Sequence, residues 1–170
     1  MENRWPEIES AAKSLPDGTV IDGEILACRL SEEGDVESVL PFAQLQRRIG
    51  RKRGGKKLLA EVPVVFHAFD VMEAAGADGR SQPFRKRRVQ LESLLAPIDH
   101  AHLRLTELIQ SGDWLGLAEI RETSRSRNSE GLMLKRWDAE YEVGRVRGTW
   151  WKWKVQPYTI DAVLIYAQRG

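Results

Sequence analysis

Glu130, Lys152 and Lys154 are the residues of this chain whose types and spacing most directly suggest chemistry. Glu130 lies in Ser129-Glu130-Gly131-Leu132-Met133-Leu134-Lys135, and the lysines lie in Trp150-Trp151-Lys152-Trp153-Lys154-Val155. In an extended strand, residues two apart share a face about 7 Å from each other. Lys152 and Lys154 then project together, while Trp151, Trp153 and Val155 turn the other way. Two such cations repel unless solvent or an anion lies beside them, and the tryptophans behind would anchor the strand in a core. A carboxylate and two ammonium groups on neighbouring apolar segments suit a polyphosphate and its metal ion. An amphipathic edge strand with a solvated lysine face carries the same pattern.

Further upstream, Gly18-Thr19-Val20-Ile21-Asp22-Gly23-Glu24-Ile25-Leu26-Ala27 places an acidic pair, Asp22 and Glu24, on one face of a strand. A carboxylate on a rigid strand is a good hard ligand for Mg²⁺, which takes one or two protein oxygens and fills its shell with water and phosphate. A hairpin turn at Asp22-Gly23 is the alternative. Val62-Pro63-Val64-Val65-Phe66-His67-Ala68-Phe69-Asp70-Val71-Met72 reads as a buried strand ending in a turn at residues 75–79. Phe69 could offer a ring face to a base or simply fill the core; His67 reads as structural.

Cations crowd a second region: Arg47, Arg48, Arg51, Lys52, Arg53, Lys56 and Lys57 surround Gly54-Gly55. At that density they could neutralise several phosphates of a nucleic-acid duplex without reading its sequence, unless the segment is only a solvated loop. The net charge of +1 excludes a uniformly basic nucleic-acid protein. The run Arg85-Lys86-Arg87-Arg88 falls on a helix expected to bury Val89, Leu91 and Leu94 and leave its cations exposed.

The elements that must hold these residues follow from pattern and punctuation. Pro6 with Ile8, Ala11, Ala12 and Leu15 predicts a helix that Pro16-Asp17-Gly18 ends. Pro41 opens another helix through Ile49, and Pro83 opens one that Pro97 stops near Ala96. A strand is expected at 103–109, and Asp113 caps a helix carrying Trp114, Leu117, Ala118 and Ile120. Tyr158 to Ala167 reads as a long apolar strand, an aggregation liability if unpaired. Strands and helices mixed without regular alternation predict an α+β domain of antiparallel sheets.

At 170 residues and 42% hydrophobic, the chain can build one compact core. Cys28 has no partner for an internal disulfide, and no apolar run reaches the roughly 20 residues that span a bilayer. The start lacks the layout of a signal peptide, so a cytoplasmic location is expected.

The order of these segments is recognisable. Asp22-Gly23-Glu24, Phe69-Asp70 leading to Arg87-Arg88, Glu130-Gly131-Leu132-Met133-Leu134-Lys135, and Trp150-Trp151-Lys152-Trp153-Lys154 resemble motifs III, IIIa, IV and V of the ATP-dependent DNA ligases. The phrasing of Leu40 to Arg48 and of Val163 to Gln168 looks closest to bacterial ligases encoded beside a helicase and a metallo-β-lactamase-type nuclease. The resemblance implies an α+β nucleotidyltransferase (adenylation-domain) fold of antiparallel sheets flanked by helices, N-terminally truncated. Residues 1–157 would be a partial adenylation domain, and residues 158–170 the first strand of an OB-fold.

By the same resemblance, Glu24 and Glu130 stand around the nucleotide and its Mg²⁺, Phe69 stacks on adenine, and Lys152 and Lys154 neutralise the phosphates of ATP. Arg147 would match an arginine just before the last motif, and Lys135 has no assigned role. Such enzymes transfer AMP from ATP to a lysine, then to a 5′-phosphate, and join the 3′-hydroxyl of nicked duplex DNA. That lysine belongs to a Lys-x-Asp-Gly motif. Two residues before Asp17-Gly18, Asp22-Gly23 and Asp78-Gly79 stand Leu15, Val20 and Gly76, so this chain carries no such nucleophile. The expectation is a ligase fragment unable to adenylate itself. The alternatives are a non-catalytic nucleotide- or DNA-binding remnant and part of an RNA ligase or capping-type nucleotidyltransferase.

Overall fold

A computed structural model describes residues 4–51, 54–144, 146–159, 161–163 and 165–168. A short helix, α1 (Pro6–Ala12), precedes a long strand, β1 (Val20–Leu30), and then β2 (Val36–Val39). Two helices, α2 (Phe42–Ile49) and α3 (Lys56–Glu61), lead into β3 (Val64–Ala74), β4 (Ala77–Asp78) and α4 (Phe84–Leu95). After β5 (Leu103–Leu105) come α5 (Trp114–Glu122), a 3-10 turn (Thr123–Arg127), β6 (Gly131–Lys135) and β7 (Trp150–Lys154).

Two sheets result. The larger runs β2-β1-β3-β4 with antiparallel neighbours, and β5 joins β3 in parallel. The smaller is the antiparallel hairpin β6-β7. Val64, Val65, Ala68 and Val71 of β3 are buried; Ala68 and Val71 pack with Leu91 and Leu95 of α4 and Ala11 of α1, and Val64 packs with Leu45 of α2, Leu58 of α3 and Val62. Each fully buried valine or leucine contributes about 1.5–3 kcal/mol by leaving water, so β3 is the spine of the domain.

The β1-β3 ladder is irregular where the chemistry was expected. Asp22 pairs with Asp70 but the next residue, Gly23, pairs with Ala68, so Phe69 has no partner on β1 and forms a β-bulge. A bulge bends its strand and re-aims the extra side chain. Gly23 is required opposite it, because a Cβ there would lie 2.5 Å from the His67 carbonyl oxygen and 2.6 Å from the Phe66 ring. The hairpin alternative for Asp22-Gly23 is thereby replaced: both residues lie inside β1, and the turn falls after Ala74 instead.

Three other expectations are corrected. In α4 the cations do not all face solvent: Arg87 and Arg88 are buried, whereas Val89 is 60% exposed. Arg87 is drawn in by a buried carboxylate, a stronger anchor than a valine methyl. The strand at 103–109 stops at Leu105. Described residues after Lys154 form no strand, and Val163 and Ile165 stand in solvent, since no neighbouring strand offers them a ladder. Ile160 and Leu164 of that expected strand lie outside the described residues. No described helix is long and apolar enough to cross a membrane.

Candidate nucleotide and metal site

Antiparallel pairing decides which side chains of the hairpin meet. Lys135 lies opposite Trp150, Met133 opposite Lys152, and Gly131 opposite Lys154. Directly opposed residues share a face, so Lys135, Met133, Trp150, Lys152 and Lys154 line one side, and Leu132, Leu134, Trp151 and Trp153 the other. Gly131 has φ +142°, and a Cβ on it would sit 2.2 Å from the Trp153 carbonyl oxygen. That close approach brings Glu130 beside the end of β7, where Val155 N–H donates to the Glu130 carbonyl at 3.0 Å. The Lys154 Nζ reaches Glu130 Oε2 at 2.6 Å, with both side chains largely in solvent. Hydrogen bonding and charge from Lys154, helped by the charge of Lys152, hold the Glu130 carboxyl below its usual range.

The other end of the lysine face seats on the main sheet. The Lys135 Nζ lies 3.7 Å from the Trp150 ring centroid, 4.2 Å from Phe69 and 4.8 Å from Phe84, and 3.6 Å from Asp70 Oδ2. Phe69 also meets Trp150 edge-on at 6.4 Å. Aromatic faces attract the ammonium through their quadrupoles, but they accept no proton from it in the manner of an oxygen. No hydrogen bond satisfies Nζ among the described residues. Burial therefore pushes the Lys135 ammonium down to about 8, against the opposing pull of Asp70 and Asp22.

Beneath Lys135 is a buried ionic core. Arg87 Nε and Nη2 donate to Asp70 Oδ1 and Oδ2 at 2.8 and 3.1 Å, and Arg87 Nη1 donates to the Ala139 carbonyl at 3.1 Å. Asp70 Oδ1 also accepts from Val71 N–H at 2.9 Å. Tyr141 Oη donates to Asp22 Oδ2 at 2.6 Å, and burial and that acceptor push its phenol well above the usual range. Two carboxylates thus face two cations, which keeps the desolvated cluster neutral.

The sequence-predicted residues divide accordingly. The hairpin brings Glu130, Lys152 and Lys154 together, and Phe69 stands against its Lys135-Trp150 end. Glu24 is exposed on β1, in register with His67, and makes no hydrogen bond or ion pair among the described residues. Arg147 is exposed on the loop joining β6 to β7, with no hydrogen bond to these groups among the described residues. Among the described residues no set of three or more His, Cys, Asp or Glu gathers to hold a metal. A free Glu24 and a solvent-exposed Glu130 do fit an ion that draws the rest of its shell from phosphate and water.

In the basic region the structure corrects one residue. Arg48 is buried: it donates to Glu7 at 2.6 and 2.9 Å and to the Val62 carbonyl at 2.9 Å, with the Trp5 ring 4.7 Å away. It fastens α1 to α2 and is not a surface cation. Arg47 is half-exposed and paired with Glu61 at 2.6 Å, which Lys57 approaches at 3.9 Å. Arg51 and Lys56 are exposed; Lys52 and Arg53 lie outside the described residues.

Sequence reasoning assigned nothing to Tyr141 and no role to Lys135 or to the Asp70–Arg87 pair. The occurrence of Phe69-Asp70 and Arg87-Arg88 in one motif of the resemblance was the available signal for the pair. Tyr141, 119 residues from Asp22, left none.

The family model described as the ATP dependent DNA ligase domain matches residues 1–154. A probable DNA ligase of Koribacter versatilis is 28% identical over 98% of this chain and 31% of its own length. A DNA ligase of Haloferax volcanii is 32% identical over 97% of this chain and 27% of its own length. The chain therefore spans about a third of the curated relatives it matches. A mycobacterial DNA ligase D complexed with ATP and MES superposes with a TM-score of 0.61 and 30% identity, covering 87% of this chain and 42% of that one. The α+β domain has the nucleotidyltransferase fold of these ligases. With a family match across most of its length, this chain belongs to the ATP-dependent DNA ligase domain family.

Proposed function

We propose that this chain supplies the base- and phosphate-binding surfaces of an ATP-dependent DNA ligase that seals nicks in duplex DNA through enzyme-AMP and DNA-adenylate intermediates. The observation that carries this reading is the seating of the hairpin: Lys135 and Trp150 lie on Phe69, while Lys152, Lys154 and Glu130 continue along the same face into solvent. The bulged Phe69 offers a ring edge or face to the base. Lys152 and Lys154 balance the triphosphate, and Arg147 adds charge from the loop above them. Glu24 and Glu130 would hold Mg²⁺, which eases charge on the phosphates when bound. Arg47, Arg51, Lys52, Arg53, Lys56 and Lys57 would track the DNA backbone.

No Lys-x-Asp-Gly stands in this sequence, so its own residues bind and neutralise but do not supply that nucleophile. The same observation favours, as the second reading, a nucleotide- or DNA-binding protein without covalent chemistry. We further propose that residues 158–170 begin an OB-fold domain and that the protein works in the cytoplasm. A helicase and a nuclease of one repair system are its proposed partners.

The test is ATP binding in Mg²⁺, followed by titration of nicked and intact duplexes. Saturable ATP binding that Lys152→Ala with Lys154→Ala weakens by about tenfold or more supports the reading. Binding that ignores both lysines would remove them from the site.

A further inference from the structure

The two surfaces of the proposed site sit on different sheets, and something must fix their spacing. Phe69 and Glu24 belong to the large sheet; Glu130, Lys152 and Lys154 belong to the hairpin. The loop that joins β6 to β7 is strapped to the start of α4: Phe84 N–H donates to Ala139 at 2.7 Å, Arg85 N–H to Trp137 at 2.9 Å, and Tyr141 N–H to Arg80 at 2.8 Å. None of these reaches β1. Lys135 reaches β3 through ring faces and a 3.6 Å ion pair, contacts with little directional preference. Among the described residues the hydrogen bond from this loop to β1 is the one from Tyr141 to Asp22 Oδ2, at 2.6 Å. The Tyr141 ring is itself held edge-on to Trp150 at 5.6 Å, with the Arg87 guanidinium 5.6 Å from its centroid.

We propose that Tyr141 is a positioning residue for nucleotide binding: its phenol, by donating to Asp22, sets the lysine hairpin at the distance from β1 and Phe69 that one nucleotide spans. The inference rests on the nucleotide-site reading above. A ligand that touches two surfaces at once gains affinity only when their separation matches its own. Adenosine engages the Phe69 side alone and tripolyphosphate the lysine side alone, so neither feels the spacing. ATP feels it. A single hydrogen bond is the right size of device, because its loss shifts a two-surface geometry without unfolding a packed ring.

The experiment measures adenosine, tripolyphosphate and ATP affinities by calorimetry on the full chain and on Tyr141→Phe, with thermal unfolding alongside. The expected result is that ATP binding weakens about tenfold while adenosine and tripolyphosphate stay within about twofold. Asp22→Asn keeps an acceptor oxygen for the phenol and is expected to keep ATP binding within about threefold. Unchanged ATP affinity in Tyr141→Phe overturns the proposal, as does an equal fall for all three ligands together with the melting temperature, which is the mark of a purely structural bond. A loss in Asp22→Asn as large as in Tyr141→Phe assigns the effect to the carboxylate charge and also overturns it. If the unsubstituted chain binds adenosine and tripolyphosphate but gains nothing from joining them in ATP, the spacing claim fails while both surfaces stand; if it binds none of the three, the nucleotide site itself is wrong.

Discussion

Lys154 Nζ lies 2.6 Å from Glu130 Oε2, so the cation proposed for phosphate and the carboxylate proposed for metal neutralise each other. Binding of a metal-nucleotide would exchange these partners, metal for Lys154 on Glu130 and phosphate for Glu130 on Lys154. Exposed pairs of this kind contribute under about 1 kcal/mol to folding, so the exchange is cheap.

Glu130→Gln therefore frees Lys154 without unfolding the chain. Tripolyphosphate in EDTA is expected to bind Glu130→Gln about two- to fivefold more tightly than the parent, while Mg²⁺ adds less to ATP affinity than before. Calorimetry with and without Mg²⁺ reads both effects, and weaker metal-free binding in the variant would speak against the exchange.

The Asp70–Arg87 pair behaves oppositely, because both side chains are fully buried. Removing one partner strands a charge in the interior, at a cost of about 3–5 kcal/mol. Arg87→Ala is expected to lower the unfolding free energy from urea denaturation by that amount or to prevent folding. A change below about 1 kcal/mol would show that water reaches Asp70.

Lys135 gives a pH signature. Its pKa is lowered from 10.5 to about 8 in the folded chain, so between those values the unfolded state binds the extra proton and the folded state does not. Its contribution to stability therefore rises with pH across that window, by about 1–3 kcal/mol. Lys135→Met removes the term. The difference in unfolding free energy between parent and Lys135→Met, measured at pH 7.5 and pH 10 (roughly the ends of the window), is expected to shift in favour of the parent at the higher pH. A constant difference would place the ammonium in water.

The basic region separates by burial. Substituting Arg51, Lys56 and Lys57 with alanine is expected to weaken duplex binding and flatten its salt dependence, each lost phosphate contact lowering the log–log slope by about 0.9. Arg48→Ala is expected to destabilise the fold by about 2–4 kcal/mol instead, since it leaves Glu7 without its buried partner. Filter binding over a salt series and urea denaturation check the two halves of this statement.

Local patterns made much of this architecture legible. Pro41, Pro83 and Asp113 each stand at the start of the helix they predicted, with Asp113 accepting from Gly116 N–H at 2.8 Å. The period-two reading of Lys152 and Lys154 also matches the hairpin face. What local pattern could not supply was pairing across the chain. Arg48 and Arg87 are chemically indistinguishable from their exposed neighbours until Glu7 and Asp70 are brought to them by the fold. The same holds for the bulge at Phe69, which depends on the register of β1 against β3. The short β2 and α3, without strong periodicity, were missed for want of any tertiary partner visible in sequence.

The central claim is that the face running from Phe69 past Lys152 to Lys154 binds a nucleotide. Titrating ATP with Mg²⁺ into the full chain by calorimetry, beside Lys152→Ala/Lys154→Ala, tests it most directly. The account predicts one saturable site in the parent and an affinity about tenfold or more lower in the variant, with both proteins equally folded. Equal affinity in the two, or no binding in the parent, would contradict it.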